Sequence, residues 1–137
     1  GNDLNSALYA VGGFNHRFAD VLLHKGEVPK ELLDLADKNN FERHPRTIFA
    51  TKGTELHVFV VDGRQEGYSD GISVMDAAGY LQGLGMEEAI NVDGGGSSTY
   101  AVRKPGDSSL TLLNRPSDGK EREIGNALLI VSTASER

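Results

Sequence analysis

Two different periods of apolar residues divide the middle of the chain. Val74, Ala77, Ala78, Leu81 and Leu84 recur at three- and four-residue intervals, the spacing of one helical face. Ser73 stands ahead of them as a cap, Asp76 falls in the positively polarised first turn, and Gly85 offers a left-handed stop. A helix is therefore expected from Ser73 to Leu84. Before it the period shortens. Thr47 to Thr51 and Glu55 to Val61 are β-branched or aromatic runs separated by Lys52-Gly53-Thr54, which predicts an antiparallel hairpin. The second run is apolar on both faces except at His57, the pattern of a central strand. Ala89 to Val92 predicts a short strand after the helix.

The flanking segments are read the same way. Ala7 to Val11 is a strand running into Gly12-Gly13, and Phe18 to His24 is a second apolar stretch ending at Lys25-Gly26. Pro29 followed by Glu31, Leu32, Leu33, Leu35 and Ala36 reads as a helix with proline in its first turn, ended by Asn39-Asn40. Thr99 to Arg103, Ser108 to Leu113 and Ala127 to Ser132 are further expected strands, with turns at Pro105-Gly106 and Asp118-Gly119. No internal repeat or low-complexity linker interrupts them. The sum is an α/β (α+β) fold, a single domain with a mixed β-sheet packed on a few helices.

Composition narrows the function classes. The chain has 137 residues, 38% hydrophobic and 25% charged, which suits one globular domain and not a disordered or collagenous segment. It has no cysteine, which excludes disulfides and thiolate metal sites. A net charge of −6 argues against nucleic acid as a partner. No apolar run approaches the ~20 residues of a membrane span. The first residues, Asn2 to Ser6, are polar and carry no signal-peptide pattern, so any secretion signal would lie outside this sequence.

The chemistry concentrates where the glycines do. Ten of the seventeen glycines lie between Gly53 and Gly96, beside two Asp-Gly pairs that each follow an expected strand. If the strands ending at Val61 and Val92 share a sheet, the helix between them makes a right-handed crossover with both carboxyl ends at one edge. Asp62 and Asp93 would then face one cleft, where ligands commonly bind. Each Asp-Gly taken singly is also an ordinary turn.

The run Asn91-Val92-Asp93-Gly94-Gly95-Gly96-Ser97-Ser98-Thr99 outweighs that plainer reading. Three successive glycines are entropically costly, and their amides followed by three hydroxyls can form a donor nest for an anionic oxygen. The run lacks the Gly-Lys-Ser/Thr ending of a P-loop and the glycine after Ser97 that a nucleophile elbow needs. A dinucleotide fingerprint would be followed by a helix, whereas Thr99 to Val102 reads as a strand. Arg46, Arg64, Arg115 and Arg122 cluster beside these loops, and guanidinium groups grip phosphate in a bidentate way. The four histidines, His16, His24, His44 and His57, lack metal-ligand spacing, and only His44, just ahead of Pro45-Arg46, falls near the site. No cofactor is expected. Asp62, Glu66 and Asp70 offer oxygens to a divalent cation, though not at EF-hand spacing.

These blocks form a family pattern. His44-Pro45-Arg46-Thr47, Val61-Asp62-Gly63-Arg64 with Gly67-Tyr68-Ser69 and Gly71, the Asn91 to Thr99 run, and Asn114-Arg115-Pro116-Ser117-Asp118-Gly119 with Arg122 and Asn126 resemble the phosphodiester glycosidase family, in the family's order. The resemblance implies hydrolysis of the bond between an anomeric carbon and a phosphodiester, with an N-acetylglucosamine-1-phosphodiester-like substrate or another sugar-phosphate or phosphoglycan. It implies catalytic roles for Arg46, Asp62, Arg64 and Asp93. It points to substrate or phosphate binding by Ser97, Ser98, Thr99 and Arg122, beside the nest amides of Gly94, Gly95 and Gly96. It also implies a secreted, periplasmic or cell-surface protein, exopolysaccharide-related in bacteria. The family domain begins with an upstream strand carrying an Asn-Gly-x-Phe-Phe type motif, which nothing before Ala7 supplies. The expectation is thus the C-terminal portion of the domain, completed by an N-terminal segment or a second chain.

A phosphate monoester is a good leaving group, so the chemical demand falls on the anomeric carbon. Asp62 or Asp93 is the expected nucleophile or base, with Asp93 favoured, and Arg64 is the expected phosphate ligand. By the general glycosidase rule, carboxylates ~5 Å apart would point to a covalent route and ~6.5–9.5 Å to direct attack by water. Two rival readings stand beside this one. One is a non-catalytic phosphoglycan-binding module, and the other a phosphodiesterase that cleaves the P–O bond.

Overall fold

The computed structural model describes residues 20–34, 41–125 and 127–131. The fold is α+β. Four strands, β1 (Val21–Leu23), β2 (Arg46–Lys52), β3 (Glu55–Val61) and β4 (Glu88–Val92), form a sheet in the order β1-β4-β2-β3, each neighbour pair antiparallel. Helix α1 (Lys30–Asp34) follows β1, and α2 (Val74–Gly83) links β3 to β4. A separate ribbon pairs β5 (Ala101–Val102) with β6 (Thr111–Leu112). Among the described residues no helix is long and apolar enough to cross a membrane.

The expected hairpin and helix form where the residues put them. β2 and β3 pair from Arg46↔Val61 to Lys52↔Glu55, and Gly53 takes φ +57 at the first position of the two-residue loop, a conformation that suits the strand twist. Ser73 caps α2 by accepting the Asp76 amide at 3.0 Å. At the other end Gly85 turns to φ +74, its amide reaches the Gln82 carbonyl at 2.9 Å, and the Met86 amide reaches Leu81 at 3.1 Å. That pair of bonds is the Schellman stop. Val74, Ala77, Ala78 and Leu81 are buried against β1 and β4 together with Leu22, Ile48, Ala50 and Ala89, whereas the expected core residue Leu84 is exposed.

Three expectations change. β3 is an edge strand among the described strands, not a central one, because the short turn holds it beside β2 while β4 takes the other side of β2. Leu56 and Val58 on it are accordingly exposed. The strands expected over Thr99 to Arg103 and Ser108 to Leu113 shrink to the two-residue β5 and β6, and residues 127–131 form no strand. The Ala7 to Val11 strand and the helix beyond Asp34 lie outside the described residues.

Candidate active site

Three strand ends meet at one edge of the sheet. The register pairs Arg46 with Val61 and Thr47 with Val92, so the start of β2 lies between the carboxyl ends of β3 and β4. β3 and β4 run parallel to each other, as the strand-helix-strand order predicts, but β2 separates them. At about 4.8 Å per strand, the backbones leading into Asp62 and Asp93 stand about 10 Å apart.

The glycines let these loops close on the segment that enters β2. A methyl group at Gly63 would lie 2.8 Å from the Pro45 nitrogen and 2.7 Å from Gly71 Cα, and one at Gly94 would lie 2.7 Å from the Pro45 oxygen. At Gly71, φ is +99 and a methyl would overlap the His44 backbone. The glycine run does not form a nest of three free amides. Gly95 donates to the Pro45 carbonyl at 2.9 Å, and Ser97 and Ser98 donate back to Gly94 and Gly95 in a 3-10 turn over Gly95–Ser97. The run acts chiefly as a place of close approach.

Two arginines occupy that approach without a carboxylate. The two-residue period of β2 puts Arg46 on the same face as Ile48 and Ala50, so its side chain is buried, 9% exposed. Its Nε donates to the Ile72 carbonyl at 2.9 Å and its Nη2 to the Glu42 carbonyl at 3.3 Å. Burial, and then the charge of Arg64, hold its pKa below the usual arginine value. Arg64 is exposed and sits at φ +56, a left-handed conformation unfavourable to residues other than glycine. A methyl at Gly95 would lie 3.1 Å from its Nη1. The two guanidinium groups thus repel one another beside the glycine run, and neither makes an ion pair with a described residue.

Asp62 and Asp93 are not equivalent. Asp62 Oδ1 accepts from Asn114 Nδ2 at 3.0 Å and from the Arg115 amide at 3.1 Å, and Oδ2 accepts from that amide at 3.0 Å and from the Tyr68 hydroxyl at 3.0 Å. Its acceptor capacity is spent on fastening its own loop, through Tyr68, to the Asn114-Arg115 segment after β6. The Asp62 hydrogen bond, followed by desolvation, pushes the Tyr68 phenol above the ordinary tyrosine range. Asp93 is exposed and makes no hydrogen bond or ion pair to any described residue.

Apart from Asn126, which lies outside the described residues, the four blocks converge on one edge, and the model of one family spans them all, matching residues 3–131. The chain belongs to the phosphodiester glycosidase family. It is also similar to the catalytic domain of zebrafish N-acetylglucosamine-1-phosphodiester α-N-acetylglucosaminidase, auto-inhibited by its pro-peptide, with 28% identity and a TM-score of 0.54. That match covers 72% of this chain and 33% of the zebrafish chain, so the chain spans about a third of its relative's length. No curated protein sequence matches.

Within this phosphodiester glycosidase chain the other expected site residues divide by exposure. Ser98 is 2% exposed, with its hydroxyl on Thr47 Oγ1 at 3.3 Å and its carbonyl on Asn114 Nδ2 at 2.8 Å, so it seals the sheet edge. Ser97 and Thr99 flank it, half-buried. Arg122 lies against Gly96 and is paired with Asp118 at 2.7 Å, a partner the sequence did not suggest. Arg115 is drawn over the Tyr68 ring, 4.2 Å from its centroid. Asn114 is the largest omission from the expected site, since it joins Asp62, Ser98 and, through a 2.7 Å bond from the Tyr100 amide, the start of the β5 segment. Its signal was its place at the head of the fourth block. Among the described residues no group of three or more His, Asp or Glu side chains is arranged to hold a metal ion, so Asp62, Glu66 and Asp70 do not converge as ligands.

Proposed function

We propose that the polypeptide is a hydrolase that cleaves the glycosidic bond of a sugar-1-phosphodiester. The observation that carries this reading is that Arg46 and Arg64, neither ion-paired with a described residue, both border the glycine run: a methyl at Gly94 would lie 3.4 Å from Arg46 Cα and one at Gly95 3.1 Å from Arg64 Nη1. Two like charges in one site are relieved by an anion, and guanidinium groups grip phosphate oxygens through paired N–H donors. Arg64 contacts the phosphate, while Arg46, anchored by two backbone carbonyls, supports the positive potential from within.

The chemistry follows from the difference between the two aspartates. Asp93, with no partner among the described residues, takes a proton from water as that water bonds to the anomeric carbon. The bond from that carbon to the phosphate oxygen breaks, its electrons leave with the phosphate monoester, and the two arginines stabilise the charge. Asp62 keeps the loops in place. A single free carboxylate acting on water inverts the anomeric configuration.

Hydrolysis of an N-acetylglucosamine-1-phosphodiester in heavy-oxygen water, by the full-length polypeptide, tests this. The label is expected in the sugar. Label in the phosphate would identify a phosphodiesterase instead, and binding without turnover would identify a phosphoglycan-binding module.

A further inference from the structure

Glu42, His44 and Arg64 form a chain of contacts that the proposed chemistry leaves unused. Arg64 Nε and Nη2 lie 3.4 and 3.3 Å from His44 Nδ1. Both arginine nitrogens are donors only, so Nδ1 is the unprotonated acceptor. The other ring nitrogen, Nε2, lies 3.3 Å from Glu42 Oε2 and carries the proton. The ring is mounted on a fixed backbone, since the His44 amide donates to the Ile72 carbonyl at 3.3 Å and the Ile72 amide returns to His44 at 3.1 Å. Gly71, just before Ile72, packs directly against the His44 backbone. The nearby Arg43 and Arg46 direct their Nε atoms to the carbonyls of Gly71 and Ile72, which leaves the Glu42 carboxylate to the imidazole.

We infer that Glu42 and His44 are positioning residues for Arg64. Glu42 selects the Nε2–H tautomer, and the Nδ1 lone pair so fixed orients the guanidinium over Gly95. An arginine left to rotate would lose side-chain entropy on gripping a phosphate, and a pre-oriented one loses less. The consequence for binding rests on the reading of Arg64 as the phosphate ligand. The tautomer does not.

Two measurements on the full chain test this. Long-range proton–nitrogen correlation spectra report the His44 tautomer without any variant, and the expected form is neutral with the proton on Nε2, shifting towards Nδ1 in Glu42→Ala. Inorganic phosphate titrated into wild type, His44→Phe, His44→Gln and Arg64→Ala reports the consequence. His44→Phe is expected to weaken phosphate binding about tenfold, and His44→Gln, which keeps an acceptor, to restore most of it. An Nδ1–H tautomer in the wild type, or a His44→Phe affinity equal to wild type while Arg64→Ala loses binding, would overturn the positioning role. Unchanged phosphate affinity in Arg64→Ala would instead overturn the anion reading, and with it the binding consequence drawn here.

Discussion

Asn114 donates to Asp62 Oδ1 at 3.0 Å across 52 residues of sequence, and the same amide nitrogen reaches the Ser98 carbonyl at 2.8 Å. One side chain therefore ties the loop after β3 to the loop after β4. The Asp-Gly-Arg turn and the glycine run keep their spacing through it.

Replacing Asn114 with alanine removes these bonds together with the one from the Tyr100 amide. The expected cost is about 2–3 kcal/mol, since the carbonyl left behind belongs to the buried Ser98 and the carboxylate to the half-buried Asp62. Urea unfolding of the two proteins measures it, and a change under about 0.5 kcal/mol would show that the loops are held by other means.

The two aspartates should separate in opposite directions. Asp93→Asn is expected to lower kcat by about 10²–10⁴ with unchanged thermal stability. Asp62→Asn turns a pure acceptor into a group that also donates and faces the Arg115 amide, so it should destabilise the fold by about 2 kcal/mol. Parallel kinetics and melting curves decide it. Equal loss of stability in both variants would remove the distinction.

Tyr68 supplies a pH dependence. Its phenol is held protonated by the Asp62 carboxylate, so its folded pKa lies above the unfolded value of about 10. The associated stabilisation is fully present below that unfolded value and is lost as pH rises through the folded one. Ultraviolet titration should show this tyrosine ionising later than an ordinary one. In Asp62→Ala its midpoint should move down towards the ordinary range.

Glycines that look alike in sequence should respond differently to alanine. Gly79 lies within α2 with open space around it, so Gly79→Ala is expected to stabilise by about 0.5–1 kcal/mol. Gly71→Ala meets both a positive φ and the His44 backbone, and should cost more than about 2 kcal/mol. Denaturant midpoints of the pair provide the check.

Much of this was legible locally. The hairpin, the cap and stop of α2, and the crowding of chemistry at Asp62 and Asp93 all follow from spacing and turn residues, because each depends on neighbours a few positions away. The edge position of β3 did not follow, since Leu56 to Val61 carries the apolar composition of a central strand while its place is set by β4 choosing the far side of β2. The engagement of Asp62 was equally hidden. Its partners Asn114 and Arg115 arrive from beyond the ribbon, and nothing near Asp62 announces them.

The clamp on His44-Pro45, with Gly63 and Gly71 on one side and Gly94 on the other, sets which changes this site can absorb. Loop spacing there depends on main chain meeting main chain, so the exposed side chains of Glu66 and Asp70 can be exchanged without moving Arg46. Under the proposed hydrolysis, substrate preference is then expected to be set by what projects from the loops. A single added methyl inside the clamp would shift all of them at once.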